Sequence, residues 1–316
     1  MPFAQHSEAF SCIQGDGGVL PLQQRRNRQR YRAPEMLVNV QVLDLLEISG
    51  SQKRAARALA MAQSTVSRCY QEIAEQLQLG PRLASDQVCR WGSSDSLRHL
   101  RLACRAHRLQ HSTVRLATDA LHQPLLERLP HVQRVPPRLL ANGDWRTLLQ
   151  EGVVDGVVVS SFGAGGDGGG MQKRWRGHLL QPLGSLESRP MAPAQQAMAN
   201  ADGRLLVPSA QCWPGLHQQL EAGGLVGEVA PRHCQGIGDW LALSQSSGLP
   251  VLVAEGIIPT QHWDALPLEP ASPVANTRLV EELFLAWPDD TAMLERPAQS
   301  ALRAIRRRVH RAGLVG

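Results

Sequence analysis

Hydrogen-bonding side chains crowd the first two turns of a predicted helix that starts near residue 63. They are Gln63, Ser64, Thr65, Ser67 and Arg68. Amide, hydroxyl and guanidinium groups pair with base edges in the major groove and with phosphate oxygens. The opposite face repeats apolar residues from Val66 to Leu77 at helical spacing, so core packing does not account for the polar row. This row is the first candidate for a nucleic-acid contact.

A glycine-rich segment is the strongest competing motif. Gly163, Gly165 and Gly168 form a GxGxxG pattern after a predicted strand, as a dinucleotide-binding site requires. More glycine and charge follow, rather than a helix with an apolar face, which favours a flexible loop. An α/β dinucleotide-binding enzyme that uses the loop from Gly163 to Gly170 is the alternative function.

His107 and His111 are four residues apart, a spacing that could bind a metal, but no third ligand follows, which favours surface histidines. The sequence contains no other catalytic or metal-binding spacing. GxSxG, HExxH and GxxxxGK[ST] motifs are absent, and no paired carboxylates stand beside a suitable base. The cysteines, at positions 12, 69, 89, 104, 212 and 234, lack a CxxC pair, which is typical of reduced thiols rather than a disulfide frame or zinc site. We predict no catalytic residue, metal or cofactor, a non-enzymatic function and a cytoplasmic location.

Positive charge is concentrated in the first third of the chain. The first 110 of 316 residues contain 15 Lys+Arg against 9 Asp+Glu, whereas the rest contain 18 against 19. This division favours double-stranded DNA as a partner of the front region. Residues 1–35 are predicted to be a basic disordered arm, with Met36 as an alternative start. A membrane partner is not predicted, because no run approaches the roughly 20 apolar residues of a spanning helix.

Three successive helices are predicted to position the polar row. The first ends at Ser49, the second covers residues 52–60 with Lys53 and Arg54 facing outward, and the third begins at Gln63. Two helices joined by a short turn, with a polar start to the second, make a helix-turn-helix. In that arrangement Lys53 and Arg54 would hold the DNA backbone while the third helix enters the major groove.

Several short segments resemble, in order and without gaps, the N-terminal domain of LysR-type transcriptional regulators. The matching residues are Ser49-Gly50-Ser51, Ala55-Ala56, Leu59, Gln63-Ser64-Thr65-Val66-Ser67-Arg68, Leu77 and Leu79-Gly80. The resemblance implies a winged helix-turn-helix domain over residues 36–93 and a linker helix over 94–111 that pairs two subunits. It also implies homodimers or homotetramers, with RNA polymerase as a further partner.

The sequence departs from the family pattern after Gly80. Residues 83–86 read Leu-Ala-Ser-Asp where the family has Leu-Phe-x-Arg, and residues 91–94 replace its threonine-rich ending. An aspartate in place of that arginine would repel phosphate. A decayed regulator that binds DNA without sequence preference is therefore a second alternative.

Two further helices combine an apolar stripe with many arginines. In the linker helix, predicted over residues 95–109, Leu97, Leu100, Cys104 and His107 share a stripe that Arg98, Arg101, Arg105 and Arg108 are expected to surround. The last helix, from Pro297, is predicted to face five arginines outward, at positions 303, 306, 307, 308 and 311. Solvation and the helix dipole explain this second set more simply than another nucleic-acid contact.

The rear two thirds alternate strands and helices, which indicates an α/β fold. Strands are predicted at 114–118, 135–140 and 153–159, and a helix at 120–128. The resemblance, looser here, implies a two-lobed periplasmic-binding-protein-like effector domain over residues 112–316. Lobe I would comprise about 112–181 and 270–316, and lobe II about 182–269.

The resemblance also implies a small-molecule effector site between the lobes, where strands end. The matching positions are Thr118, Asn142 and Ser209. Each position has a structural alternative, because Thr118 and Ser209 can cap helices and Asn142 stands in a predicted turn. The predicted fold class is thus α/β, with a mainly α-helical winged helix-turn-helix, a linker helix and the two-lobed effector domain.

Overall fold

The computed structural model describes residues 37–80, 88–163, 178–193, 203–231, 234, 236–257, 268–271, 278–288 and 296–313. The predicted arm, the altered wing residues 83–86 and the glycine-rich residues 164–170 lie outside the described residues. All described residues belong to one unit, Ala33–Gly316.

Three helices form the head, defined here as residues 38–76, and they lie where the sequence predicts them. α1 spans Val38–Ser49, α2 spans Gln52–Leu59 and α3 spans Gln63–Gln76. Their apolar faces share one core, in which Leu46 and Val66 are fully buried. Burial of this face leaves the polar start of α3 exposed.

The turn between α2 and α3 is closed by backbone hydrogen bonds. The Met61 N–H donates to the Ala56 carbonyl at 2.9 Å, and the Ala60 N–H donates to the Arg57 carbonyl at 3.3 Å. Ala60 adopts the left-handed conformation, with φ of 55°, so the pattern is a Schellman ending built without glycine. This ending stops α2 three residues before α3 begins.

The linker helix, α4, spans Asp95–Gln110, and the Ser94 hydroxyl caps it by accepting the Leu97 N–H at 3.2 Å. The prediction that the arginines surround its apolar stripe is wrong for three of them. Its buried residues are Leu97, Arg101, Cys104, Arg105 and Arg108. The arginines lie inside because acidic side chains of neighbouring elements face them.

An α/β body follows α4. Its strands are β1 Val114–Ala117, β2 Val132–Arg134, β3 Gly156–Ser160, β4 His178–Pro193, β5 Arg204–Val207, β6 Val226–Val229, β7 Val251–Val253, β8 Leu268–Pro270 and β9 Leu279–Pro288. Its helices are α5 Gln123–Leu126, α6 Asn142–Gln150, α7 Pro214–Ala222, α8 Ile237–Ser247 and α9 Arg296–Gly313.

Two sheets share the long strand β4. The first sheet has the order β2-β1-β3-β9-β4, and the second continues as β4-β7-β5-β6 with β8 also beside β4. Residues 178–188 of β4 pair with β9, whereas residues 189–193 pair with β7 and β8. The chain thus crosses to the second sheet along β4 and returns to the first at β9. This topology confirms the predicted two-lobed α/β fold.

Three local predictions differ from the structure. The strand predicted at 135–140 lies at β2 instead, because Pro136 and Pro137 lack the N–H groups that would continue the ladder. The helix predicted at 120–128 shortens to α5, and Arg128 adopts a left-handed φ of 53° just beyond it. The sequence prediction also missed β4.

The last helix, α9, packs its apolar face on the first sheet. Ala301, Ile305 and Val309 are each at most 1% exposed. Among the described helices, none has both the length and the apolar composition that crossing a membrane requires.

Candidate nucleic-acid interface and the ion cluster behind it

The structure places the predicted DNA-contacting residues on the outer surface of α2 and α3. Gln63, Ser64 and Arg68 are exposed, and Thr65 and Ser67 are half-buried along the same two turns. Ala62, the residue that precedes α3, has no side-chain oxygen with which to cap it. The N–H groups at this helix start therefore remain directed outward, where the helix dipole favours an anion such as phosphate.

The basic residues of α2 extend the same surface. Lys53 is exposed and Arg54 is half-buried on the first turn of α2. Ala55 and Ala56, on the opposite face, are buried in the core of the head. Small residues there allow close helix packing, and the longer basic side chains reach outward.

An aromatic contact supports α3 from behind. The ring of Tyr70 meets that of Trp91 edge to face, with centroids 5.2 Å apart. The guanidinium of Arg90 lies 4.8 Å from the centre of the Trp91 ring and donates to the Gly50 carbonyl at 2.7 Å. The residues that replace the family's wing ending therefore join α3 to the end of α1.

A cluster of buried ion pairs lies on the far side of α1. Asp44 accepts hydrogen bonds from Arg101 Nε of α4 at 2.8 Å and from Arg115 Nη1 of β1 at 2.6 Å. The three side chains are at most 1% exposed. Asp44 therefore ties the head both to α4 and to the first strand of the body.

A second carboxylate completes this ion cluster. Asp155, just before β3, accepts from Arg108 Nε at 3.1 Å and from the Arg115 backbone N–H at 2.7 Å. Burial, and repulsion by Arg108, lower the pKa of Arg115 despite the opposing attraction of Asp44. Each buried carboxylate faces two guanidinium groups, Asp44 those of Arg101 and Arg115 and Asp155 those of Arg105 and Arg108, which offsets the cost of burying the charges.

The sequence offered one signal for this ion cluster. Asp44 and Glu47 interrupt an otherwise apolar stretch of α1, where a charged side chain faces inward. The partners of Asp44 lie more than 50 positions away, at Arg101 and Arg115. No spacing rule connects residues so distant, so the predictions missed the cluster.

Glu47 is the second buried acid of α1, with 1% of its surface exposed. One oxygen accepts the Trp91 N–H at 2.9 Å, and the other has no hydrogen-bond partner. Burial raises the pKa of Glu47 to about 7, against the lowering effects of the Trp91 N–H and Arg101. The Glu47 backbone carbonyl also accepts from Arg138 Nη1 at 2.8 Å, so this residue joins three parts of the chain.

Between the two sheets, a buried histidine links two carboxylates. His122 donates from Nδ1 to Asp119 and from Nε2 to Glu281, both at 2.9 Å, and Ser160 donates to the other oxygen of Glu281. Burial opposes the imidazolium form, but the two carboxylates outweigh it and raise the pKa of His122 well above its ordinary value. Trp213 stacks on His122, with centroids 5.8 Å apart.

This histidine and Trp213 help to close a small cavity. Its volume is about 10 Å³, room for about one water molecule, whereas ligand sites typically occupy about 300–1,000 Å³. The lining residues are Leu121, His122, Phe162, Ser188, Trp213, Ile237, Leu252, Val253, Ala254, Ile257 and Glu281. As the described residues line it, this cavity is therefore far smaller than a typical ligand site.

The predicted effector residues lie at strand and helix ends, but none is among the described lining residues of this cavity. The Thr118 hydroxyl donates to the Val158 carbonyl at 3.3 Å, which ties β1 to β3. Asn142 is the first residue of α6. The Ser209 carbonyl accepts the N–H groups of Cys212 and Trp213 in the turn before α7. The described bonds of Thr118 and of the Ser209 carbonyl are thus local, and effector binding by the three residues stays a prediction.

The competing glycine motif begins at the end of a short turn after β3. Gly163 ends this 3-10 turn, and Phe162 within it is buried against Trp213. The later glycines, to Gly170, lie outside the described residues. Within the described part of the chain, no group of three His, Cys, Asp or Glu residues could hold a metal ion.

The geometry defines a class of molecule, a helix-turn-helix head joined through buried ion pairs to a two-sheet α/β body.

No family model and no curated protein matches the chain. Similar solved structures include ArgP from Mycobacterium tuberculosis, at 17% identity over 87% of this chain and 98% of that one, with a TM-score of 0.45. HinK, a LysR family transcriptional regulator from Pseudomonas aeruginosa, is 14% identical over 89% and 99%, with a TM-score of 0.41. Full-length CbnR complexed with its target DNA is 13% identical over 87% and 99%, with a TM-score of 0.43.

Proposed function

We propose that this protein is a divergent LysR-type transcriptional regulator that reads double-stranded DNA with the start of α3. The exposed polar row from Gln63 to Arg68, held by a buried apolar face, is the observation that carries this function. Gln63, Ser64, Thr65 and Arg68 would contact base edges or phosphates, and Lys53 and Arg54 would hold the backbone. The protein would act in the cytoplasm as a homodimer or homotetramer, with RNA polymerase as a further partner.

Substitutions in the polar row test the DNA contact. We expect Arg68→Ala to weaken binding about 5- to 100-fold, because a lost base or phosphate contact removes roughly 1–3 kcal/mol. Thr65→Ala should instead reduce the preference for the correct sequence. Fluorescence anisotropy on the protein's own upstream DNA and on a scrambled duplex, across salt concentrations, measures both effects.

Gln76→Ala is the matched control, because Gln76 is exposed on the last turn of the same helix. Its affinity and preference should equal those of the wild type. Wild-type behaviour of both the Arg68 and Thr65 variants would contradict the proposed reading of DNA by α3. Equal binding of wild type to both duplexes, with steep salt dependence, would instead identify the decayed regulator.

The body would sense a small polar or anionic effector between its two sheets, through Thr118, Asn142 and Ser209. The cavity has room for about one water molecule, so an effector would bind by shifting the population toward a state with more space between the sheets. We expect a ligand at about 100 times its Kd to stabilise the protein by about 2.7 kcal/mol. A thermal-shift panel of metabolites measures this, with Thr118→Val as the variant that should lose the shift. No shift with any metabolite would count against sensing.

A further inference from the structure

The outward face of α9 carries a row of exposed arginines. Arg303, Arg307 and Arg311 follow one another at four-residue spacing, and His310 beside them is also exposed. Four residues of α-helix rise about 6 Å, so the three guanidinium groups project from one line about 12 Å long. No aspartate or glutamate occurs between Arg296 and Gly313.

Two other arginines of α9, unlike the exposed row, hold the helix to the rest of the fold. Arg306 Nε donates to the Pro182 carbonyl at 2.8 Å, and Arg308 Nη1 donates to the Leu125 carbonyl at 2.9 Å. These two fix the helix to β4 and α5. Among the described residues, none receives such a hydrogen bond from Arg303, Arg307 or Arg311, so the charge of the exposed row needs another explanation.

The helix dipole explains only part of the row. Its effect falls off within the last turn, which covers His310 and Arg311 but not Arg303, ten residues before the end of α9. Like charges four residues apart on a helix repel, so Arg303, Arg307 and Arg311 disfavour the helix that holds them. A mixture of positive and negative side chains would keep this face of α9 solvated equally well.

The charge of the rear region is segregated onto α9. Six of the 18 Lys+Arg after residue 110 lie on this helix, so the remainder holds 12 Lys+Arg against 19 Asp+Glu. A strongly basic face on an acidic body is a directed electrostatic surface rather than a general aid to solubility. Such a surface attracts a polyanion.

The buried face of α9 restricts the partner. Ala298, Ala301 and Ile305 are fully or nearly fully buried against the first sheet, so the helix has no free apolar face to insert into a lipid surface. What remains accessible is a line of guanidinium groups. Guanidinium pairs with phosphate in a bidentate geometry, which fits a regular series of phosphates.

We propose that Arg303, Arg307 and Arg311 form a second DNA contact that binds the sugar–phosphate backbone of a duplex without reading its sequence. The proposal rests on the proposed function for the identity of the polyanion. It assigns separate roles to the two basic surfaces: α3 selects the sequence, and α9 supplies affinity that does not depend on sequence.

The test compares the wild type with the triple variant R303Q/R307Q/R311Q by anisotropy on upstream and scrambled duplexes across salt concentrations. We expect the slope of log affinity against log salt to become shallower by about three, one for each lost phosphate contact. At about 0.15 M salt the affinity should fall roughly a hundredfold on both duplexes. The ratio of the affinities for the two duplexes should not change in this variant. R68A, by contrast, weakens binding through the other basic surface, on α3.

The triple variant R146Q/R204Q/R278Q is the matched control, since it removes the same charge from exposed sites outside α9. It should keep the wild-type slope, and an equal loss of slope would overturn the proposal in favour of net charge.

A wild-type slope for the α9 variant would also overturn it, while leaving the role of Arg68 intact. If the wild type shows no sequence preference but the α9 variant still loses slope, the α9 contact stands and the proposed regulator fails. No binding of wild type to either duplex would overturn both.

Discussion

Asp44→Asn is expected to lower the free energy of unfolding by about 3–5 kcal/mol, the typical loss when one partner of a buried ion pair is removed. The amide preserves the shape of the side chain but leaves Arg101 and Arg115 facing each other without their shared anion. Arg115 should be affected more than Arg101 by the loss of Asp44. Burial and repulsion by Arg108 already lower the pKa of Arg115, so its charged form depends more on this carboxylate. Urea denaturation followed by tryptophan fluorescence and circular dichroism measures the change.

Asp95→Asn provides the control, because Asp95 is an exposed acid on the first turn of α4. It should change the stability by less than about 0.5 kcal/mol. The double variant D44N/R115Q should be less destabilised than the sum of the single variants, by about 0.5–3 kcal/mol of coupling. Strict additivity, or wild-type stability of D44N, would show that the ion cluster does not join the head to the body.

The position of Asp44 has a consequence for the proposed regulation. α1 packs beneath α2 and α3, and the same helix holds α4 and β1 through this one carboxylate. A displacement of the first sheet on effector binding would therefore move the head directly. A head on a flexible tether would transmit much less, because the tether would absorb the motion.

The helical elements could be predicted from the sequence because local rules fix them. Apolar spacing from Val38 to Ile48 and from Val66 to Ile73 defines the buried faces of α1 and α3, and Gly50 ends α1 in the left-handed conformation. A Cβ on Gly50 would also meet the Arg138 guanidinium at 2.8 Å. The left-handed backbone conformation is thus the main reason for glycine here, and the Arg138 side chain adds a smaller preference.

Strand β4 could not be predicted, because its two halves face different environments. Pro182, Pro190 and Pro193 break the usual strand composition, and the register shifts between Pro182 and Gly184. Its first part pairs with β9 and its last part with β7 and β8, so no single period of alternation covers its length. Only the partners, brought together by the fold, specify this strand.

Prediction of the candidate site divides in the same way. The polar row of α3 followed from the sequence, because exposure of Gln63 and Arg68 depends on a helical period within one element. The inward position of the α4 arginines could not be predicted from the sequence. A binary pattern of polar and apolar residues assigns Arg101 and Arg108 to solvent. Their burial depends on Asp44 and Asp155, which are distant in sequence and lie beside them only in the folded protein.

Glu47→Gln is expected to stabilise the protein at high pH and leave it unchanged at low pH. The glutamine amide resembles the protonated acid, so the two proteins should have equal stability below about pH 4, where Glu47 is protonated in both the folded and the unfolded chain. Above that pKa the wild type must bury a carboxylate with one unpartnered oxygen. The variant should then be more stable by about 3 kcal/mol at about pH 8, from the rise of the pKa above its ordinary value of 4.5.

The direction of this effect follows from proton binding. Between pH 4.5 and about 7 the folded wild type holds a proton on Glu47 that the unfolded chain has released, so wild-type stability falls as pH rises through this window. His122 also titrates with a raised pKa, but it is common to both proteins and cancels in their difference. Glu75→Gln, at an exposed site on α3, should give a difference curve that is flat with pH. Parallel pH profiles for Glu47→Gln and wild type would mean that Glu47 has the same pKa in the folded and the unfolded chain, and that the contacts of Trp91 and Arg101 fully offset its burial.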